Sequence, residues 1–255
     1  MFVKIFKLFG VVGILSLAGC EATSDNNDDS SSDTAFCFTS RSALDYRAEL
    51  ALAACNRLLA DPKNLSPEDL FEAYFNRGLT KREIGDLEGS KTDLQHAVEL
   101  GSDRDDAIRM LAWTFRGLGE YRQSVELYTQ AIKMAPNNWQ GYLSRCVVLG
   151  FGMADHRSAV DDCQKAISLG HISDDTIFFT SHSLNQIGSF RETVELIDEH
   201  SDRDTVSARV YEEYILALIG LNDKIRAQRA LEAAKSEYPS DNSFDELATS
   251  VERLQ

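Results

Sequence analysis

The stretch at residues 106–138, DAIRMLAWTFRGLGEYRQSVELYTQAIKMAPNN, decides the fold. Its apolar residues recur at helical spacing in two runs, and Gly117 and Gly119 lie between those runs. Pro136 ends the second run. The stretch therefore predicts two amphipathic helices joined by a tight turn. One such pair cannot bury its apolar faces alone, so neighbouring pairs must stack on it.

The same pattern returns about every 34 residues, which is the period of a stacked helical repeat. The first predicted helix of each unit carries a column of large residues: Tyr74, Ile108, Tyr142, Ile177 and Tyr211. It also carries a mostly small column: Gly78, Ala112, Cys146, Ser181 and Ile215. The second helix has a small column of its own: Ser90, Ser124, Ala159, Thr193 and Ala227. Because close-packed helices approach only where side chains are small, these columns predict contacts within each unit.

These columns resemble the tetratricopeptide repeat family. The resemblance implies an all-α fold, a right-handed α-solenoid of about five helix pairs within residues 66–241. The units are expected at residues 66–104, 105–138, 139–172, 173–206 and 207–241. The last two match less well, because His200 and Ile215 stand where small residues are usual. Residues 36–65 resemble a second helix without its first, and residues 242–255 a final capping helix.

The N-terminus has the layout of a secretory signal. Lys4 and Lys7 precede a short apolar run that ends in Leu-Ala-Gly-Cys at Cys20. This Leu-Ala-Gly-Cys segment resembles the lipobox of bacterial lipoproteins. The resemblance implies removal of residues 1–19 and acylation of Cys20. An uncleaved membrane anchor or an ordinary signal peptide stays open as an alternative. Glu21 after the cysteine favours the periplasmic face of the outer membrane over the inner membrane.

The segment that follows, residues 20–35, is acidic and serine-rich with no large apolar side chain before its end. Such a composition predicts a disordered tether. The whole chain has a formal net charge of −15, which repels nucleic acid and anionic lipid head groups. Nucleic acid is therefore excluded as a partner, and the lipid is expected to supply the membrane contact.

Four cysteines remain besides Cys20: Cys37, Cys55, Cys146 and Cys163. An even number in an exported protein permits two disulfides. Cys146 and Cys163 lie in facing columns of the third unit, and Cys37 precedes the helix that contains Cys55. These two pairs are the disulfide candidates. Buried free thiols, used as small apolar groups, are the alternative.

No catalytic residue, metal site or cofactor is predicted. The five histidines lack metal-ligand spacing, and the glycines at residues 150–155 are typical of a turn between helices. The acidic pairs Asp161-Asp162 and Asp174-Asp175 are interpreted as exposed faces and helix starts. We therefore expect a protein that is not an enzyme.

The first helix of each unit lines the concave face in the family that the columns resemble. The resemblance thus implies these groove residues: Phe75, Leu79, Arg82, Arg109, Trp113, Arg116, Leu143, Val147, Phe178 and His182. Arginines among aromatic residues are notable in so acidic a chain, and arginine pairs with carboxylates bidentately. The pattern predicts a groove for a peptide with an acidic or C-terminal carboxylate group. Alternatively, the arginines pair with Glu72, Glu83 or Asp106, and His182 is simply solvated.

The resulting hypothesis is a lipid-anchored periplasmic scaffold or adaptor that binds a protein or peptide partner in a cell-envelope process. Two alternatives stay open. One is a module that binds peptidoglycan or another glycan through Trp113 and Phe75. The other is a non-catalytic subunit of an envelope enzyme.

Overall fold

The computed structural model describes residues 29–38, 47–200 and 206–255. Within these ranges the chain folds into thirteen α-helices and no strand. The helices are α1 (Asp29–Cys37), α2 (Ala48–Ala60), α3 (Pro67–Glu83), α4 (Leu87–Leu100), α5 (Asp105–Gly117), α6 (Tyr121–Met134), α7 (Trp139–Val147), α8 (His156–Ser168), α9 (Asp174–Gln186), α10 (Phe190–His200), α11 (Ala208–Gly220), α12 (Lys224–Glu237) and α13 (Ser243–Glu252). A short 3₁₀ turn, Pro62–Asn64, follows α2.

The helices stack in sequence order as pairs, from α3 with α4 to α11 with α12. First helices also contact the first helix of the next pair, as α3 contacts α5 and α9 contacts α11. The all-α solenoid predicted from the sequence is therefore confirmed. The first helices α3, α5, α7 and α9 carry the residues predicted to line a groove, and we call the surface they form the groove face.

The small columns lie at the helix contacts within each unit. A Cβ atom placed on Gly78 of α3 would lie 2.8 Å from the Leu94 side chain of α4. In the next unit the Ser124 hydroxyl donates to the main-chain oxygen of Ala112 at 2.8 Å. A larger residue at these positions would push the two helices apart. The apolar faces of the helices are consequently buried between neighbouring pairs, as the 34-residue repeat predicted.

The third unit departs from the others at the end of its first helix. Residues Val148–Gly152 form a π-helical turn, and the amide of Asp155 donates to the Leu149 oxygen at 2.8 Å. Single π turns accommodate one inserted residue within an α-helix. This turn is where the unit is one residue longer than its neighbours. Phe151 lies in the turn and is 48% exposed.

The N-terminal region corrects two expectations. Residues 29–35, predicted to belong to a disordered tether, are helical in α1, and α1 supplies the first helix that residues 36–65 seemed to lack. The physical reason is a pair of cross-links that the composition does not reveal. Asp33 is only 5% exposed and pairs with Arg57 of α2, and Cys37 forms a disulfide with Cys55. These bonds compensate for the few apolar residues in α1.

A second disulfide joins Cys146 of α7 to Cys163 of α8, with the two Cα atoms 5.5 Å apart. Both disulfides connect the first helix of a pair to the second, with sequence separations of 18 and 17 residues. The two pairs are those named from the sequence. The chain thus uses the same cross-link in the N-terminal pair and in the third unit.

The acidic residue Asp162 is another correction, because it was expected on an exposed face. It is only 6% exposed and accepts hydrogen bonds from the Arg145 guanidinium at 2.7 Å. Asp93 is buried in the same way in the first unit, between Arg77 and Lys81. Burying a carboxylate is costly unless it is paired, so each of these acids is satisfied by a basic residue of the facing first helix.

The C-terminal helix α13 covers the last pair. Its Phe244 and Val251 are fully buried against α11 and α12. None of the helices in the described ranges is long and apolar enough to cross a membrane. Cys20, the signal and the first part of the expected tether lie outside the described residues.

Candidate functional site

Three of the predicted groove residues meet where the first and second units join. The guanidinium carbon of Arg82, at the end of α3, lies 3.6 Å from the ring centroid of Trp113 on α5. Arg116, one turn further along α5, is close enough to act electrostatically on Arg82. We call Arg82, Trp113 and Arg116 the arginine pair site. The stack of a guanidinium on an indole is a favourable contact that fixes the orientation of Arg82.

The arginine pair has no counter-ion in the part of the chain that the structure describes. The Nε and Nη1 atoms of Arg82 are buried and have no hydrogen-bond partner. Burial, and then the positive charge of Arg116, lower the pKa of Arg82, while Tyr128 acts weakly in the opposite direction. A partly buried guanidinium with unpaired donors, acted on by a second positive charge, is an incomplete arrangement that an anion would complete.

Arg109 differs from the other two groove arginines. Its Nε atom donates to the Asp105 carboxylate at 3.0 Å, one helical turn earlier on α5. Asp105 also accepts from the side-chain amide of Asn138 at 3.1 Å. Arg109 therefore already has an acidic partner. The sequence left open that the groove arginines pair with nearby acids. Arg109 does pair with an acid, but the acid is Asp105 and not one of the three named from the sequence.

Three of the apolar candidates serve mainly as packing residues. Phe75 stacks on Phe71 with ring centroids 5.6 Å apart, and it packs with Leu79 against the core of the first two units. Leu143 packs against the Cys146–Cys163 disulfide region. All three are partly buried between units. They shape the wall of the groove face and offer little free surface.

A cluster of aromatic rings lies further along the groove face, where the third and fourth units meet. Phe151 stacks on His182 with ring centroids 4.6 Å apart, and its ring also contacts Phe178 and Phe179. We call these four residues the aromatic cluster. Phe178 is further held beneath the Arg209 guanidinium at 4.8 Å. The sequence identified Phe178 and His182 but missed Phe151; the inserted residue in the third unit was the signal that could have located it.

His182 is held by a buried acid and is not freely solvated. Its Nδ1 atom donates to the Glu213 carboxylate of α11 at 2.8 Å, and the Asn185 amide donates to the other carboxylate oxygen at 2.8 Å. His156 lies nearby, with its ring centroid 5.9 Å from that of His182. Burial, followed by the charge of His182, lowers the pKa of His156. The hydrogen bonds fix the His182 ring on which Phe151 stacks.

A shallow depression of about 220 Å³ has one residue of each site in its lining. It is lined by Arg116, Tyr121, Val147, Val148, Phe151 and Gly152. Arg116 thus belongs both to the arginine pair site and to the depression, and Phe151 belongs both to the depression and to the aromatic cluster. The depression therefore has a cationic residue at one edge and an aromatic residue at another.

In the ranges that the structure covers, no group of histidine, cysteine or acidic side chains could hold a metal ion. The histidine and glutamate at the aromatic cluster bind each other across two helices.

The geometry defines a class of protein: an α-solenoid of stacked helix pairs. The sequence comparisons agree with it in part of the chain. The tetratricopeptide repeat model matches residues 71–102 and 109–138, which contain most of α3 to α6. These two segments are therefore similar to tetratricopeptide repeats. No curated protein matches the sequence.

Solved structures of similar fold extend the likeness beyond those two repeats. A tetratricopeptide repeat protein from Parabacteroides merdae is 14% identical with a TM-score of 0.63, and the match covers 80% of this chain and 79% of that one. A MamA protein is 17% identical with a TM-score of 0.62, covering 68% and 93%. MamA from Desulfovibrio magneticus RS-1 is 13% identical with a TM-score of 0.62, covering 68% and 98%. At such identities the likeness shows the fold alone.

Proposed function

We propose that this protein is a lipid-anchored adaptor of the bacterial cell envelope that binds a protein partner through an acidic or C-terminal carboxylate group. The observation that carries the binding part is the arginine pair site. Within the described residues, two buried nitrogen atoms of Arg82 have no hydrogen-bond partner and the positive charge of Arg116 acts on them, although the chain as a whole is strongly acidic. A carboxylate accepts two parallel hydrogen bonds from one guanidinium, so a peptide acid would satisfy the unpaired Arg82 donors.

The anchoring part is supported by the sequence of the first 20 residues, where the basic start, the apolar run and the cysteine occur in order. A single acyl chain holds a protein to a bilayer only marginally, so stable attachment requires more than one. Acylation of both the thiol and the new amino group of Cys20 would meet that requirement. Intact-mass measurement of membrane-extracted protein tests this part: a chain that still begins at Met1 would contradict it.

Partner binding is tested by crosslinking in intact cells followed by mass spectrometry, with Arg82→Glu, Arg116→Glu and Arg191→Glu compared in parallel. Arg191 is exposed on the second helix α10, away from the groove face, and undergoes the same change of charge. We expect partner crosslinks to be lost in the first two variants and kept in the third. Equal crosslinking in all three would reject the arginine pair site as the binding site.

The alternative of a glycan-binding module has less support. Sugar rings stack on free aromatic faces, but Arg82 covers one face of Trp113 and Phe75 is stacked on Phe71. The alternative of a non-catalytic enzyme subunit is compatible with the same groove. In that case the crosslinked partner would itself be an enzyme.

A further inference from the structure

We infer that the fifth unit contains a second binding site, which takes a small monocarboxylate with a compact apolar body. The site is a cavity of about 200 Å³ between α10, α11 and α12. Because it lies between the second helices of neighbouring units, it does not belong to the groove face. The inference is independent of the arginine pair site and of the partner proposed to bind there.

The first argument is a comparison with the first and third units. In those units a buried acid of the second helix accepts two hydrogen bonds from an arginine of the first helix. The pairs are Asp93 with Arg77 and Asp162 with Arg145. The repeat columns place Ala230 at the position of the acid and Tyr214 at the position of the arginine in the fifth unit. Both side chains of the pair are therefore replaced there.

The hydrogen bonds to the preceding unit show that Tyr214 occupies the place of the arginine. In the third unit, Arg145 donates to Thr129 of the preceding second helix α6 at 2.8 Å. In the fifth unit, the Tyr214 hydroxyl donates to Asp198 of the preceding second helix α10 at 2.7 Å. The side chain of Ala230 is too short to fill the space of the missing acid, and the cavity lies between Ala230 and Tyr214.

The second argument is the charge of the lining. Arg226 and Arg229 of α12 stand in columns that hold no basic residue in the four preceding units. Arg226 donates to Asp198 at 2.6 Å and to the Tyr214 hydroxyl at 2.5 Å, whereas Arg229 is exposed at the rim. Among the described residues, the lining thus has two guanidiniums and one carboxylate. A ligand carboxylate would balance this charge and replace the acid that the first and third units supply themselves.

The third argument is the size of the cavity and the nature of its walls. Ile197 and Val206 form buried apolar walls, and Ala230 and Ala233 add only methyl groups. An apolar cavity of about 150 Å³ holds a benzene molecule, so this cavity accommodates a body of that size together with a carboxylate. The carboxylate of Asp198 in the same lining disfavours a doubly charged ligand such as a phosphate monoester.

The experiment is a ligand-observed NMR titration of the full-length chain in detergent, with benzoate, benzamide and phenyl phosphate as probes. Benzoate and benzamide have nearly the same shape and differ in charge. We expect benzoate to bind about tenfold more tightly than benzamide, because hydrogen bonds to a charged acceptor are stronger than those to a neutral one. Phenyl phosphate should bind more weakly than benzoate, because Asp198 repels its second charge.

Matched variants refill the cavity in the ways that the other units do. Ala230→Leu supplies the leucine that the second and fourth units have at this position, and it should abolish binding of all three probes. Ala230→Asp supplies the acid of the first and third units and should abolish binding of benzoate. Arg229→Gln should weaken benzoate about tenfold and leave benzamide unchanged. Arg122→Gln, exposed at the start of α6, is the control and should match wild type.

Circular dichroism establishes that each variant is folded, and probe taken up by the detergent is the same in all of them. Benzoate binding that is equal in wild type and Ala230→Leu would overturn the inference, because the probe would then bind elsewhere. Failure of wild type to bind any probe would also overturn it, since the cavity would then hold solvent only. Benzamide or phenyl phosphate binding as tightly as benzoate would refute the monocarboxylate as the ligand.

Discussion

Arg82 lies over the indole of Trp113 at 3.6 Å, and two of its nitrogen atoms are buried without a hydrogen-bond partner in the part of the chain described here. The stack fixes the guanidinium in a place where Arg116 opposes its charge. Folding alone would not select such an arrangement, because a partly buried cation beside another cation is unfavourable. Sites that bind charged ligands commonly retain such locally unfavourable electrostatic interactions.

The first prediction concerns this unfavourable interaction. Arg116→Gln removes the charge that opposes Arg82 and keeps the Arg82–Trp113 stack. We expect the free energy of unfolding to rise by about 0.5 kcal/mol at low ionic strength, a small effect because both side chains retain contact with solvent. The gain should shrink at 1 M salt, where the screening length falls to about 3 Å.

Urea denaturation at the two salt concentrations measures this effect. Arg122→Gln is the control, since Arg122 is exposed at the start of α6. A loss of more than 1 kcal/mol in Arg116→Gln would mean that Arg116 has a stabilising partner, and the arginine pair would then not be an incomplete site.

A second prediction uses the two adjacent acids of α8. Asp162→Asn leaves the Arg145 guanidinium without the carboxylate that accepts two of its hydrogen bonds, and removing one partner of a buried pair costs about 3 kcal/mol. Asp161→Asn changes an exposed side chain and should stay within about 0.5 kcal/mol of wild type. Guanidinium denaturation of both variants checks the contrast. Equal stabilities would show that Asp162 is solvated.

The sequence predicted the helix pairs and their stacking because a column of small residues has one physical use, the close approach of two helices. Gly78 against Leu94 and Ser124 against Ala112 are the contacts that the columns implied. The burial of Asp162 was missed for a corresponding reason. A helical acid has the same appearance in the sequence whether it faces water or an arginine of the neighbouring helix, and Arg145 is 17 residues away.

The candidate site was predictable in its positions and less so in its chemistry. The period placed Arg82, Trp113 and Arg116 on one face. It could not show that Arg109 is paired with Asp105, or that two donors of Arg82 have no partner among the residues the structure describes. Phe151 was missed because the inserted residue changes the helical phase. Assigning residues to columns assumes an uninterrupted α-helix, so it cannot account for a π-helical turn.

A third prediction concerns the N-terminal pair. Cys37→Ala with Cys55→Ala removes the disulfide that joins α1 to α2, while the Arg57–Asp33 ion pair still connects the two helices. We expect α1 amides to lose their protection from hydrogen exchange, while α5 and α6 keep theirs, because α1 lies at the end of the stack and opens locally. Exchange monitored by mass spectrometry measures the two regions separately. Unchanged protection of α1 would show that the disulfide is not required to hold α1 on α2.

The corresponding change in the third unit should behave differently. Cys146→Ala with Cys163→Ala removes a disulfide from the middle of the stack, where both neighbouring units pack on it. The cost should appear in the global free energy of unfolding, at about 2–4 kcal/mol. A purely local loss of protection in α7 and α8 would contradict the view that the stack unfolds cooperatively at its centre.

The last prediction is a pH dependence that originates at His156. Burial, and then the positive charge of His182, lower the folded-state pKa of His156 below its usual value of about 6.5, and the charge of Asp155 only partly opposes them. The unfolded chain therefore binds more protons than the folded chain once the pH falls below about 6.5, so the protein loses stability as the pH decreases through this range. His156→Gln keeps a polar side chain that does not titrate, and it should flatten the decrease in unfolding free energy between pH 7 and pH 5. A slope unchanged in His156→Gln would mean that the His156 ring is solvated in the folded protein and that the packing between α8 and the aromatic cluster is looser than the structure shows.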